Sequence, residues 1–225
     1  MIRFEAVNEL TLKVINDGDR TKLFTKAGCF IGGESPKNKN YQFEKILLGP
    51  QGNIASAGIG QIMRRLTNEN LPLMVVKSQG PNITYYANNQ QHVVVLKLRQ
   101  GERVSVESDN ILAFADCSYK VRFLAQGIIS QKGLVMSTLK GKGPDAQVAI
   151  LTDGNPIVID NMDSEKYLTA DPDAVVAWVG ADPEFKLDLS WKNMIGQASG
   201  ESYMFNWRRP AAVIIQPNER SSSHK

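Results

Sequence analysis

Leu73-Met74, Val135-Met136 and Tyr203-Met204 recur roughly 65 residues apart, and a proline follows each pair, at Pro81, Pro144 and Pro210. Related runs precede them: IGQIMRRLTNEN, GIISQKG and NMIGQASGE. Self-similarity at one spacing means that a single supersecondary unit is used more than once. Proline just past a strand fits such a unit, because it cannot donate to a ladder. A second echo supports the first. Gly101 to Phe123, GERVSVESDNILAFADCSYKVRF, alternates apolar and polar residues, turns at Ser108-Asp109-Asn110 and returns as a strand. Gly154 to Val179, GNPIVIDNMDSEKYLTADPDAVVAWV, carries the same glycine, β-branched pairs and acidic turn. A chain written this way is expected to be all-β with little helix, its repeated units stacked or set around an axis.

The local signals agree. Phe4, Val7, Leu10, Leu12, Val14 and Ile15 read largely as one strand, closed by the turn Asn16-Asp17-Gly18-Asp19. Leu23 to Ile31 reads as the next strand and ends at Gly32-Gly33. The β-branched run VVVLKL suits a sheet core. At 225 residues the chain can bury a large core in one domain. The expected organisation is a single all-β domain over 1–217, in units of about 1–75, 76–138 and 139–217, with a disordered polar tail at 218–225. No apolar run approaches the ~20 residues that span a bilayer. The amino terminus lacks the apolar segment of a signal peptide. Cys29 and Cys117 stand far apart without a metal or redox spacing. A cytoplasmic location follows, with both thiols reduced.

Motifs for chemistry are weak. Gly58-x-Gly60 lacks the third glycine of a dinucleotide fingerprint, since position 63 is methionine, and no βαβ pattern surrounds it. Gly141-Lys142 is not a phosphate loop, because Met136 and Gly143 stand where glycine and a hydroxyl residue are required. His92 has no carboxylate or thiol at ligand spacing. Asp171 with Asp173, and Asp182 with Glu184, flank prolines and read as turn residues. No enzyme, cofactor or metal is expected.

The segments GLVMSTLKGKGPDAQVAIL, YLTADPDAVVAWV and ESYMFNWRRPAAVIIQ resemble the mitochondrial-biogenesis family named for altered inheritance of mitochondria. Bacterial members of that family are similar in fold to the tryptophan RNA-binding attenuation protein. The resemblance covers roughly residues 10 to 217, and IGQIMRRL and DLSWKNMIGQ are short where relatives often carry longer glycine-rich inserts. It implies a TRAP-like, pseudo-threefold arrangement of small antiparallel β-sandwich units, frequently self-associating. It implies no established activity; mitochondrial relatives support inner-membrane organisation.

The favoured function is therefore a non-catalytic, self-associating scaffold or protein-interaction module. Repeated β units leave sheet edges that association would cover. A homo-oligomer is expected, a trimer being one form, with an unknown protein as further partner. The alternative is binding of nucleic acid or another anionic ligand through Arg64, Arg65, Lys140, Lys142, Trp207, Arg208 and Arg209. Those cations fall near equivalent places in the repeats, and Trp207 would stack beside them. A net charge of only +3 does not demand a polyanion partner.

Overall fold

The computed structural model describes residues 1–18, 22–46, 73–123, 135–187 and 203–217. The chain is all-β. Among the described residues the one helical element is the single 3₁₀ turn Ser108–Asn110. Strand β1 (Ile2–Asn8) is followed by six strands: β2 (Thr11–Asp17), β3 (Leu23–Lys26), β4 (Phe30–Glu34), β5 (Tyr41–Ile46), β6 (Leu73–Ser78) and β7 (Pro81–Tyr86). The next six are β8 (His92–Lys97), β9 (Arg103–Glu107), β10 (Ile111–Ala115), β11 (Cys117–Phe123), β12 (Val135–Gly141) and β13 (Gln147–Thr152). The last six are β14 (Ile157–Asp160), β15 (Leu168–Ala170), β16 (Val175–Gly180), β17 (Glu184–Leu187), β18 (Tyr203–Trp207) and β19 (Ala211–Ile215).

The sheets show why these are natural groups of six. One six-stranded sheet has the order β5-β6-β3-β10-β13-β8, and the other β11-β12-β9-β16-β19-β14. Adding six to every strand number of the first gives the second. The three-stranded sheet β17-β18-β15 repeats the leading half of that order once more, and β4-β7-β2, with β1 beyond β2, repeats the trailing half. The ladders agree in detail. The pairings of β4 with β7, β10 with β13 and β16 with β19 each carry a register shift at the same place, between Phe30 and Gly32, Ile111 and Ala113, and Val175 and Ala177. Coincident bulges in three strands mark one unit used three times.

The methionine and proline landmarks fall on the equivalent hairpins β6–β7, β12–β13 and β18–β19. The boundaries expected at 75 and 138 therefore cut through β6 and β12, whereas the six-strand order turns over at 87–91 and 153–156. The landmarks identify a hairpin inside the unit, and spacing alone cannot say where a repeat begins. The glycine echo is displaced too. Gly101 precedes β9 and Gly154 precedes β14, although β10 and β16 do correspond. Two expected single strands are in fact pairs. Residues 2–15 break at Glu9-Leu10, where the Asn8 side-chain oxygen accepts the Leu10 N–H at 2.9 Å. Leu23 to Ile31 breaks at Gly28, whose φ is +80°.

By packing, the chain divides into two compact units with interleaved sequence. The first comprises 1–100, 111–118 and 141–151, and the second 101–110, 119–140 and 152–225. The first unit buries Ile2, Phe4, Leu12, Val14, Tyr86, Leu112 and Leu151 together. Gln147 ties β1 to it, accepting the Phe4 N–H at 3.0 Å and donating to the Ile2 carbonyl at 2.9 Å. The second unit is built on Trp178, Phe205 and Trp207, whose rings meet edge to face at 5.9–6.3 Å. Both indoles are 1% exposed, and each N–H is satisfied at 3.1 Å, Trp178 by the Asp182 carboxylate and Trp207 by the Ala181 carbonyl.

Two glycines make the architecture testable. Gly180 ends β16 at φ +98°, and a Cβ there would lie 2.5 Å from the Pro210 carbonyl oxygen. Gly180→Ala is expected to lower stability by about 1–3 kcal/mol. Gly32 sits at the β4 bulge, where the other two copies carry Ala113 and Ala177, and an added Cβ meets nothing nearer than Tyr85 at 4.0 Å. Gly32→Ala is expected to leave the urea midpoint unchanged or raise it.

Candidate functional site

The cations singled out in the sequence are best judged by what the strands do with them. Arg64 and Arg65 lie outside the described residues. Lys140 is exposed at the end of β12, and Arg208 is exposed just past β18. The equivalent end of β6 carries Lys77, which no sequence motif singles out. Two of these three cations have a carboxylate on the preceding strand. Lys77 Nζ lies 2.6 Å from Glu44 on β5, and Arg208 Nε lies 3.8 Å from Glu184 on β17. β5 and β17 are equivalent strands, so the repeat conserves an ion pair as well as a ladder. The Arg208 guanidinium also stands 5.9 Å from the centre of the Tyr167 ring.

Trp207 is a correction. Successive strand residues point to opposite faces, so Trp207 enters the core while Arg208 leaves it. A fully buried indole already bonded to Ala181 has no face to offer a base. Lys142 and Arg209 are exposed in the turns that follow β12 and β18. The Lys142 N–H donates to the Asp116 carbonyl at 2.8 Å, which fixes the Gly141 to Pro144 turn against the end of β10. Asp116 holds φ +52°, and its carboxylate lies where any Cβ on Gly143 would stand. The glycine beside Lys142 therefore serves close packing of two turns, not a phosphate.

The carboxylates of Asp171, Asp182 and Glu184 carry structural duties. Asp171 accepts the Asp173 N–H at 2.8 Å, Asp182 accepts the Trp178 indole, and Glu184 faces Arg208. His92 opens β8, half-buried.

What the sequence analysis missed is apolar. Ile157, Val158, Met162 and Tyr167 are each about half exposed, and all fall in residues 157–167, around and after β14. Ile157 and Val158 lie on adjacent positions of a strand at the rim of its sheet. The repeat signal hides this: β8 and β2 carry equally apolar sequences and are covered. Exposed aliphatic side chains beside main-chain groups that no other described strand pairs form a surface suited to another strand.

No helix among the described residues is long and apolar enough to cross a membrane. The family model described as mitochondrial biogenesis AIM24 matches residues 10–218. No curated protein matches the chain. Among solved structures, a crystal structure of a Streptococcus pyogenes protein is similar, with a TM-score of 0.68 and 18% identity over 97% of this chain and 94% of that one. At that identity the likeness is one of fold.

Both cysteines are buried and free. Burial, with the nearby Asp116 carboxylate adding to it, pushes the Cys117 thiol up to about 12 from an ordinary 9.0. A raised folded value means that the protonated thiol favours the fold fully below about 9.0, and that this contribution fades as pH climbs toward about 12. At pH 8 neither thiol is expected to react with a disulfide reagent in the native protein, and both should react in denaturant. Rapid native labelling of Cys117 would contradict its placement.

Proposed function

Because the chain belongs to the mitochondrial biogenesis AIM24 family, and because its β repeat leaves an apolar sheet edge open, we propose that it is a non-catalytic scaffold. In this reading it self-associates and presents its surface to a protein partner. The observation that carries the reading is the concentration of exposed aliphatic and aromatic side chains in residues 157–167. The carboxylates that would serve general acid–base chemistry are engaged in a turn, an indole hydrogen bond and an ion pair. A reacting carboxylate needs freedom to meet substrate, and these have structural partners instead.

The alternative, recognition of nucleic acid or another anion, draws less support. Lys77 and Arg208 are neutralised locally, and Trp207 is unavailable for stacking. Polyanion affinity rests on cations that release counterions and fails steeply with salt. Self-association through apolar and main-chain groups does not. The mass in solution is therefore expected to be a multiple of 24.9 kDa at micromolar concentration. It should hold between about 0.05 and 0.5 M salt, a range that screens surface charge strongly. A single-chain mass by light scattering would overturn the self-association.

A further inference from the structure

The three equivalent strands β2, β8 and β14 differ in what lies beyond them. β2 pairs with β1 along its whole length, from Ile2 opposite Asn16 to Asn8 opposite Thr11. β8 is met by the turn between those two strands, its Val93 N–H donating to the Glu9 carbonyl at 2.8 Å. β1 has no counterpart in the second or third repeat, and among the described residues no strand pairs with the outer edge of β14. We propose that this edge is where two copies of the chain join, β14 pairing with β14 of a second copy about a twofold axis. The proposal rests on the self-association put forward above and names the surface responsible.

The geometry specifies the register. The Asn161 N–H donates to the Ala211 carbonyl at 3.1 Å, so Asn161 turns its main chain inward to β19. Ile159 opposite Val213 and Ile157 opposite Ile215 share that sense, because ladder bonds alternate along an antiparallel strand. The main-chain groups of Val158 and Asp160 therefore face outward. Three symmetric registers are open to an edge of this length. One centred on Asp160 sets like carboxylates opposite each other and is disfavoured. One centred on Ile159 sets Val158 against the Asp160 carboxylate of the second copy. One centred on Val158 sets Val158 against Val158, and Ile157 against Ile159, on opposite faces of the joined sheet. This register matches apolar with apolar over Ile157, Val158 and Ile159. It places Asp160 at the rim against Pro156, which can accept but not donate, so Pro156 ends the ladder. The edge is thus complementary to itself, which favours a second copy over an unrelated strand. Pairing of identical edges closes at two copies, not at the trimer that a triplicated sequence suggests.

The test uses the full chain and three variants at positions whose side chains contribute little to the fold of one copy. Val158→Asp sets like charges face to face and is expected to give a single-chain mass with an unchanged far-ultraviolet spectrum. Val158→Cys, about 5.5 Å from its mate between Cα atoms in a hydrogen-bonded pair, is expected to cross-link under mild oxidant. Asp160→Cys, facing Pro156, is not. The native thiols are buried and do not compete. A wild-type protein that is monomeric overturns the self-association reading itself. An oligomeric wild type whose mass survives Val158→Asp, with no Val158→Cys cross-link, overturns this interface alone.

Discussion

Each six-stranded sheet in this protein is shared between two repeats. The strands β5, β6 and β3 of the first repeat are joined to β10, β13 and β8 of the second by the β3–β10 ladder, Leu23 to Thr25 against Ala113 to Ala115. The ladder β9–β16 joins the second repeat to the third in the same way, Val104 to Val106 against Ala177 to Val179. These seams lie in the middle of six-stranded sheets and are lined by buried residues, among them Val104, Val106, Ala113 and Ala115. Phe24 and Phe114 stack across the first seam, 4.8 Å apart and nearly parallel. Breaking a seam would expose a row of unpaired peptide groups in a dry interior, at a cost of several kcal/mol. Each repeat therefore folds as a donor to its neighbour.

The equivalent strands β2, β8 and β14 are treated differently in the three repeats. At the amino end, β1 is an extra strand that covers the edge of β2, held by Gln147 through both ends of its amide. The same hairpin meets β8. Among the described residues, β14 has only β19 beside it. The short span of β14 limits the exposed ladder, a device that sheets use to blunt an edge. Its aliphatic side chains work the other way. A strand kept solitary would be expected to carry lysine or inward-pointing charge, whereas Ile157-Val158-Ile159 carries neither.

The all-β class and its triplication were legible because strand alternation and turn residues are local signals. The methionines and prolines mark three equivalent hairpins for the same reason. The limits of each unit were not legible, because the seams are formed between distant segments and spacing is silent on which half of a hairpin opens the repeat. Gly28 and the Asn8 cap split two apparent strands, and both were visible as residues but not as breaks. Among the candidate site residues, Arg208 and Arg209 stand at the surface as expected of cations. Trp207 does not, because its place on the core face of β18 depends on a register that no single strand reveals. Lys77 was missed since its partner Glu44 lies 33 residues earlier.

The fate of the charges bears on function more than their number does. A cation placed at the end of a strand and matched to a carboxylate on the adjacent one, as at Lys77 with Glu44 and Arg208 with Glu184, contributes modest surface pairing and weakens its own reach toward an outside anion. The match occurs on equivalent strands of the first and third repeats, so it goes with the fold. The apolar edge at β14 differs from its equivalents, since β2 is paired with β1 and β8 is met by the β1–β2 turn. A feature that recurs at equivalent positions is accounted for by folding, whereas one that breaks the repeat calls for a separate cause. In this chain the strand that departs from its two equivalents is β14, where no other described strand adjoins the outer edge and Ile157 and Val158 stay exposed.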